Sequence, residues 1–348
     1  MLLFLVSAVA QDTPTFSVNV KVVNVLATVR DKQGNIINTL GKDDFILQED
    51  GRPQSIRYFS RETDLPLTLG LLVDVSGSQV HAIDEEKRAS AAFAKDVLRA
   101  DKDSSFLIQF AGEVELLQGV TKDAMKIQAS LQDLQTPKEE DNTVVMPGGG
   151  RHGGLGHGTR GGGTLLYDAI FLASDEMMQK QQGRKAIVVL TDGVDHGSKM
   201  SLERAIESAQ RADTMVYSIY FDGDDSGGWG HPTDDGSDAV GANYPQPQQR
   251  DSEDGKKVLE RLSKETGGRM FVVSNKNNVT QIYAQIQDEL RNEYNIGYSS
   301  DRTLGDAADY RRIRLAVKRG AYKVQAREGY YASRQIDSRQ VQGRQAEQ

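Results

Sequence analysis

Two acidic and three hydroxyl side chains are spaced so that a fold of strands and helices could gather them round one divalent cation. Asp74, Ser76 and Ser78 make an Asp-x-Ser-x-Ser run directly after the apolar stretch Leu71-Leu72-Val73. Thr164 follows the glycines 161–163, and Asp192 stands in Thr191-Asp192-Gly193 after Val188-Val189-Leu190. All five offer oxygen, which is what a hard cation requires: Mg²⁺ takes oxygen ligands in near-octahedral geometry, and Mn²⁺ or Ca²⁺ can replace it. Neutral hydroxyls among the ligands leave the cation short of negative charge. One further anionic oxygen, from an Asp or Glu of a partner protein, would then complete it. The plainer alternative has Ser76 and Ser78 capping the next helix and Asp192 turning the chain at a strand end.

To position these residues the chain must bring distant segments to one edge. From 65 to 290 short apolar segments alternate with amphipathic ones, with strands expected over 69–75, 105–110, 185–191, 214–221 and 269–273. That alternation predicts an α/β domain with a Rossmann-like, doubly wound, mainly parallel sheet. Loops leaving the carboxyl ends of such strands line the ligand crevice, and Asp74, Ser76, Ser78 and Asp192 fall in such loops, with a helix opening at about Gln79. Thr164 falls where another helix opens. The last helix shows a core-facing stripe at Val279, Ile282, Tyr283, Ile286 and Leu290, and Asn278 stands where its cap belongs.

The two ends share a different texture. Residues 16–59 alternate and are rich in Val, Ile and Thr, with turn signals at 31–35 and 49–53, and the pattern returns at 294–299, 310–318 and 322–327. Neither end alone supplies enough strands for a stable sandwich. Segments 15–62 and 291–332 are therefore expected to pair into one small β-sandwich, with the α/β domain of 65–290 inserted between them. Residues 136–163 and 222–255, broken by Gly and Pro, read as surface loops. Residues 1–10 read as a signal-peptide remnant ending in Ala8-Val9-Ala10, which predicts export to the periplasm, the medium or the cell surface. The polar tail 333–348 reads as disordered.

Composition narrows the function classes. The chain has 348 residues, 38% hydrophobic and 26% charged, enough apolar material for a substantial core. A net charge of −8 gives no basic footprint for nucleic acid. With no Cys, disulfides, thiolate metal sites and cysteine nucleophiles are excluded. After the first residues no apolar run approaches the roughly 20 residues of a membrane helix. The run Gly156 to Gly161 fits G-x-G-x-x-G but follows no strand, so it is not read as a dinucleotide site. His152, His157 and His196 read as loop residues, and the acidic run 222–228 lacks the closing Glu of a calcium loop.

The Asp-x-Ser-x-Ser run with its distant Thr and Asp resembles the metal-ion-dependent adhesion site of the von Willebrand factor A family, over about residues 65–290. The resemblance implies direct metal ligation by Ser76, Ser78 and Thr164, with Asp74 and Asp192 acting more through water or hydrogen bonds. It also implies a non-enzymatic module that binds a protein partner through the metal. The flanking β segments, ending in Gly329-Tyr330-Tyr331, are similar to a group of exported bacterial proteins with a related domain, abundant in acidobacteria. Two other classes stay open: a magnesium-dependent phosphate-ester hydrolase using Asp74, and a structural envelope or assembly protein whose metal only rigidifies its loops. Position 76 counts against the hydrolase, which wants a second acid where this chain has Ser76.

Overall fold

The N-terminal strands β1 (Val22–Arg30), β2 (Phe45–Glu49), β3 (Arg52–Gln54) and β4 (Ile56–Ser60) precede an α/β core. The core runs β5 (Leu67–Asp74), α1 (Ile83–Val97), β6 (Ser104–Phe110), β7 (Val114–Thr121), α2 (Ala124–Gln132), α3 (Leu166–Leu172) and β8 (Arg184–Thr191). It continues through α4 (Leu202–Arg211), β9 (Met215–Tyr220), α5 (Pro247–Thr266), β10 (Met270–Val272) and α6 (Val279–Arg291). Strands β11 (Tyr294–Ser299), β12 (Asp309–Val317), β13 (Lys323–Ala326) and β14 (Gly329–Ala332) close the chain. This computed structural model describes residues 22–61, 65–79, 83–135, 163–221, 247–302 and 309–332. The expected signal-peptide remnant, the tail, and most of both long loops with His152 and His157 lie outside the described residues.

The central sheet has the order β10-β9-β8-β5-β6-β7, with every pairing parallel except β6 with β7. Every residue of β5, β8 and β9 is buried, as strands covered by helices on both faces must be. One face packs Leu69, Leu71 and Val73 against Phe93 of α1 and Ile282 and Tyr283 of α6. The other packs Leu72 and Val189 against Ile170 of α3 and Ile206 of α4. The edge strand β7 was not among the expected strands, because half-exposed Val114–Thr121 lacks the continuous apolar run of its neighbours. Residues 247–255, expected in a loop, begin α5 instead. Pro247 suits a first helical turn, and Gly255 reads as a loop residue only until its close packing is seen (below).

The two ends of the chain interleave in both remaining sheets, of order β13-β1-β11-β4 and β14-β12-β2-β3. Strand β1 pairs antiparallel with β11 and β13, and β2 with β12. The sheets share one core that includes Val25, Phe45, Leu47, Tyr294, Ile296 and Ile313. The turn at 31–35 forms, with Asp31 Oδ1 accepting from Gln33 and Asn35 N–H, both at 2.9 Å. Past the turn the chain doubles back briefly on β1, with Ile36 bridged to Arg30 and Ile37 N–H donating to Val29 O at 2.8 Å, before β2 enters the other sheet. Glu49 is buried beside Arg311 and accepts from Tyr298 Oη at 2.7 Å, Ser300 Oγ at 2.6 Å and Tyr330 Oη at 3.0 Å.

The stripe on α6 is buried as its spacing predicts. Asn278 opens that helix with a capping box: its side chain accepts from Gln281 N–H at 2.9 Å, and Gln281 returns an acceptor to Asn278 N–H at 3.0 Å. Asn278→Ala is expected to cost about 1 kcal/mol in urea unfolding, and an unchanged midpoint would count against the cap.

Candidate metal centre

Where the sheet changes its direction of winding, β5 and β8 lie side by side, with Val73 opposite Leu190. Chain order runs from β5 outward to β6 and β7 on one side, then returns to β8, β9 and β10 on the other. The crevice outside the carboxyl ends of β5 and β8 is therefore the switch point at which open α/β sheets bind ligands. Asp74 is the last residue of β5 and Asp192 follows the last residue of β8.

Asp74 is fully buried. Its Oδ1 accepts from Ser76 N–H at 2.9 Å, and its Oδ2 accepts from Thr191 Oγ1 at 2.6 Å. Thr191 Oγ1 in turn accepts from Gly193 N–H at 3.1 Å, so one hydroxyl joins both strand ends. Asp192 is half-buried, and its Oδ1 accepts from Val194 N–H at 3.0 Å. Ser76 is buried beside Asp74, and Val75 N–H donates to Phe110 O, holding the loop against the end of β6. Ser78 lies in the 3-10 turn Gly77–Gln79, which precedes α1 and delays its start to Ile83; the Ser78 side chain falls outside the described residues.

Thr164 reaches the same edge by main-chain bonds. It exchanges both N–H···O bonds with His196, at 3.2 and 2.9 Å, while Leu165 N–H donates to Ala111 O just past β6. His196 thus contributes its backbone and leaves its side chain exposed. Gly163 permits this approach, since a Cβ there would stand 2.6 Å from His196 O. Two further carboxylates brace the loop after β8 against α3: Asp195 Oδ1 accepts from Tyr167 N–H at 3.1 Å, and Asp168 Oδ1 from Met200 N–H at 2.8 Å. The structure thus brings Asp74, Ser76, Thr164 and Asp192 to one sheet edge. Thr191, Asp168, Asp195 and the His196 backbone, which motif reading passed over, are what hold them there.

The electrostatics are one-sided. Burial pushes the Asp74 carboxyl up to about 6; hydrogen bonds from Ser76 and Thr191 oppose the rise and the Asp192 charge adds to it. Glu86, on the buried face of α1, is pushed well above the usual carboxylate range by burial and then by the charges of Asp74 and Glu85. Among the described residues no Lys, Arg or His pairs with Asp74, Glu86 or Asp192. Nor do they contain a cluster of three or more His, Cys, Asp or Glu placed to hold a metal ion. The donor set is instead hydroxyls with two carboxylates, which fits a hard divalent cation and lacks the nitrogen and sulfur that softer metals prefer. Glu86 escaped the motif reading, although its spacing to Ala89, Ser90, Phe93, Ala94 and Val97 put a carboxylate on a core stripe.

The von Willebrand factor type A domain family matches the sequence twice, over residues 69–194 and 155–285. No curated protein matches the chain. Similar solved structures include an aerotolerance-related membrane protein from Bacteroides fragilis, at 18% identity and a TM-score of 0.42 over 64% of this chain and 98% of that one. Proximal thread matrix protein 1 from the mussel byssus, with a zinc-occupied MIDAS motif, is 12% identical with a TM-score of 0.45, covering 70% of this chain and 50% of that one. The SpRpn10 VWA domain is 10% identical with a TM-score of 0.36, over 64% and 95%. From the sheet order and the two overlapping sequence matches, the chain belongs over residues 69–285 to the von Willebrand factor type A domain family.

Proposed function

We propose that this chain is a non-enzymatic, divalent-cation-dependent protein-binding module. Ser76, Ser78 and Thr164 would hold the cation directly, Asp74 and Asp192 would support it, and a carboxylate of the partner would complete it. The observation that carries the reading is the gathering of hydroxyl and carboxylate oxygens at the sheet's switch point, with no basic side chain among the described residues to balance them. Like charges buried without a counter-ion are costly, and a bound cation would offset that cost. Mg²⁺ is the cation proposed, because hydroxyl and carboxylate oxygens suit a small hard ion. Bound there, it would supply a positive charge able to hold an acidic side chain of the partner. The remaining residues hold the loops: Thr191 fixes the Asp74 carboxylate, and His196 fixes Thr164.

Among the described residues no helix is long and apolar enough to cross a membrane. We place the protein outside the cytoplasm on the strength of its apolar N-terminal residues ending in Ala8-Val9-Ala10.

Mg²⁺ is expected to raise the melting temperature, by an amount equivalent to about 2.7 kcal/mol at one hundred times its Kd, and Asp192→Ala is expected to abolish that rise. Capture of a partner from the source organism's envelope and secreted fractions should require Mg²⁺ and fail in EDTA or with Asp192→Ala. Equal capture under all three conditions would overturn the proposal. Because a proton competes with the cation at Asp74, Mg²⁺ affinity should also fall as the pH drops below about 6.

A further inference from the structure

Helix α1 presents Ala89, Ser90, Phe93, Ala94 and Val97 to the core, and the residue that begins this stripe is Glu86. It is fully buried, and neither carboxylate oxygen has a hydrogen-bond partner among the described residues. The charge that acts on it most is that of Asp74, at the end of the neighbouring strand β5. One turn further along the helix, Ser90 Oγ and Tyr283 Oη share a hydrogen bond of 2.7 Å, so these two hydroxyls are engaged with each other. The stacked rings of Phe93 and Tyr283, with centroids 4.2 Å apart, close the core beyond them.

A Glu at this place breaks two rules at once. An amphipathic helix reserves its core stripe for apolar residues, and buried carboxylates are ordinarily paired or hydrogen-bonded. Folding is weakened by such a group, and departures of this kind concentrate where function needs them. A leucine or methionine would fill the same space at lower cost. What distinguishes the position is that the buried face of α1 packs in one core with Val73 and Val75, the residues on either side of Asp74, while the two Asp74 oxygens are already taken by Ser76 and Thr191.

We infer that Glu86 is a further acidic member of the cation centre, a buried carboxylate whose charge strengthens cation binding at Asp74 and which the cation in turn compensates. The inference rests on the cation-binding reading above and goes beyond the five residues of the motif. Glu86 acts on the cation through the field at Asp74, and is a positioning and charge-supplying residue rather than a necessary direct ligand. Removing its charge should therefore move two quantities in opposite directions. The protein without cation should become more stable, because an unpaired buried carboxyl is gone. Its cation affinity should fall.

The experiment is calorimetric titration of the full chain with MgCl₂ alone, on wild type, Glu86→Gln and Asp192→Ala, with melting curves of each in EDTA. Wild type should bind, and Asp192→Ala should not. Glu86→Gln should bind roughly tenfold or more weakly, the scale on which groups supporting metal ligands act, while melting higher than wild type in EDTA. Glu86→Asp, which keeps the charge, should bind more tightly than Glu86→Gln. Unchanged Mg²⁺ affinity in Glu86→Gln, with wild-type binding intact, would overturn this inference and leave the cation reading standing. Absence of wild-type binding would overturn both. Should the Gln variant fail to fold in EDTA, Glu86→Met is judged by the same criterion.

Discussion

Glu49→Ala is expected to destabilise the protein by about 3–5 kcal/mol, because it removes the carboxylate from a buried ion pair. Glu49 and Arg311 are both almost completely buried, at 1% exposure each. The carboxylate also accepts from Tyr298, Ser300 and Tyr330, so its loss leaves three hydroxyls to find other acceptors in the sandwich interior. Arg311 also donates to Ser300 Oγ at 2.6 Å, which ties that hydroxyl to both members of the pair. The partners come from β11, the segment after it, β12 and β14, so this one carboxylate at the end of β2 joins strands from opposite ends of the chain. Urea unfolding followed by circular dichroism measures the loss. Glu49→Gln should fall between wild type and Ala, since it retains an acceptor and drops the charge. A loss in the Ala variant no larger than an exposed ion pair contributes, about 1 kcal/mol or less, would show that the network does not hold the two ends together.

The second large effect is expected at Gly193, whose substitution by Ala should cost about 3 kcal/mol or more by combining overpacking with a left-handed backbone. Its φ is +78°, and a Cβ would stand 2.4 Å from Gly255 O and 2.8 Å from Leu259 Cγ. The contact is reciprocal: a Cβ on Gly255 would stand 2.3 Å from Asp192 O. Backbone meets backbone here, so neither side can yield by turning a side chain. Either α5 moves away from the sheet or the Asp192-Gly193 loop moves away from Asp74. Gly193→Ala and Gly255→Ala should therefore lower the melting temperature and also weaken the Mg²⁺ response, although neither glycine offers a ligand. Retention of both wild-type values in Gly193→Ala would show that the two segments are free to separate.

Much of the fold was legible because its cues are local. Leu71-Leu72-Val73-Asp74 and Val188-Val189-Leu190-Thr191-Asp192 announce buried parallel strands ending in acids, since a strand covered on both faces must be apolar throughout. The α6 stripe and its Asn278 cap follow from helical spacing alone. Even the pairing of the two chain ends followed from counting strands, each end being too poor to stand by itself. The edge strand β7 was missed because one side of it faces solvent, which relaxes the demand for apolar residues that makes its neighbours readable. The start of α5 was missed because Gly255 looks like a helix breaker until Gly193 is seen against it.

By itself the sequence offered the candidate oxygens for a cation: Asp74, Ser76, Ser78, Thr164 and Asp192 stand out by residue type and by their position at strand ends or helix starts. Only the tertiary structure decided what holds them and what charge surrounds them. Thr191 and Asp74 are 117 positions apart when their 2.6 Å hydrogen bond forms, and no local pattern encodes that meeting. The same holds for His196, which serves Thr164 through its backbone, and backbone geometry leaves no mark in residue identity. Glu86 stands between the two cases. Its place on an apolar stripe was visible in the sequence, but its burial without a partner among the described residues, and the charge of Asp74 acting on it, exist only once α1 is packed against the sheet.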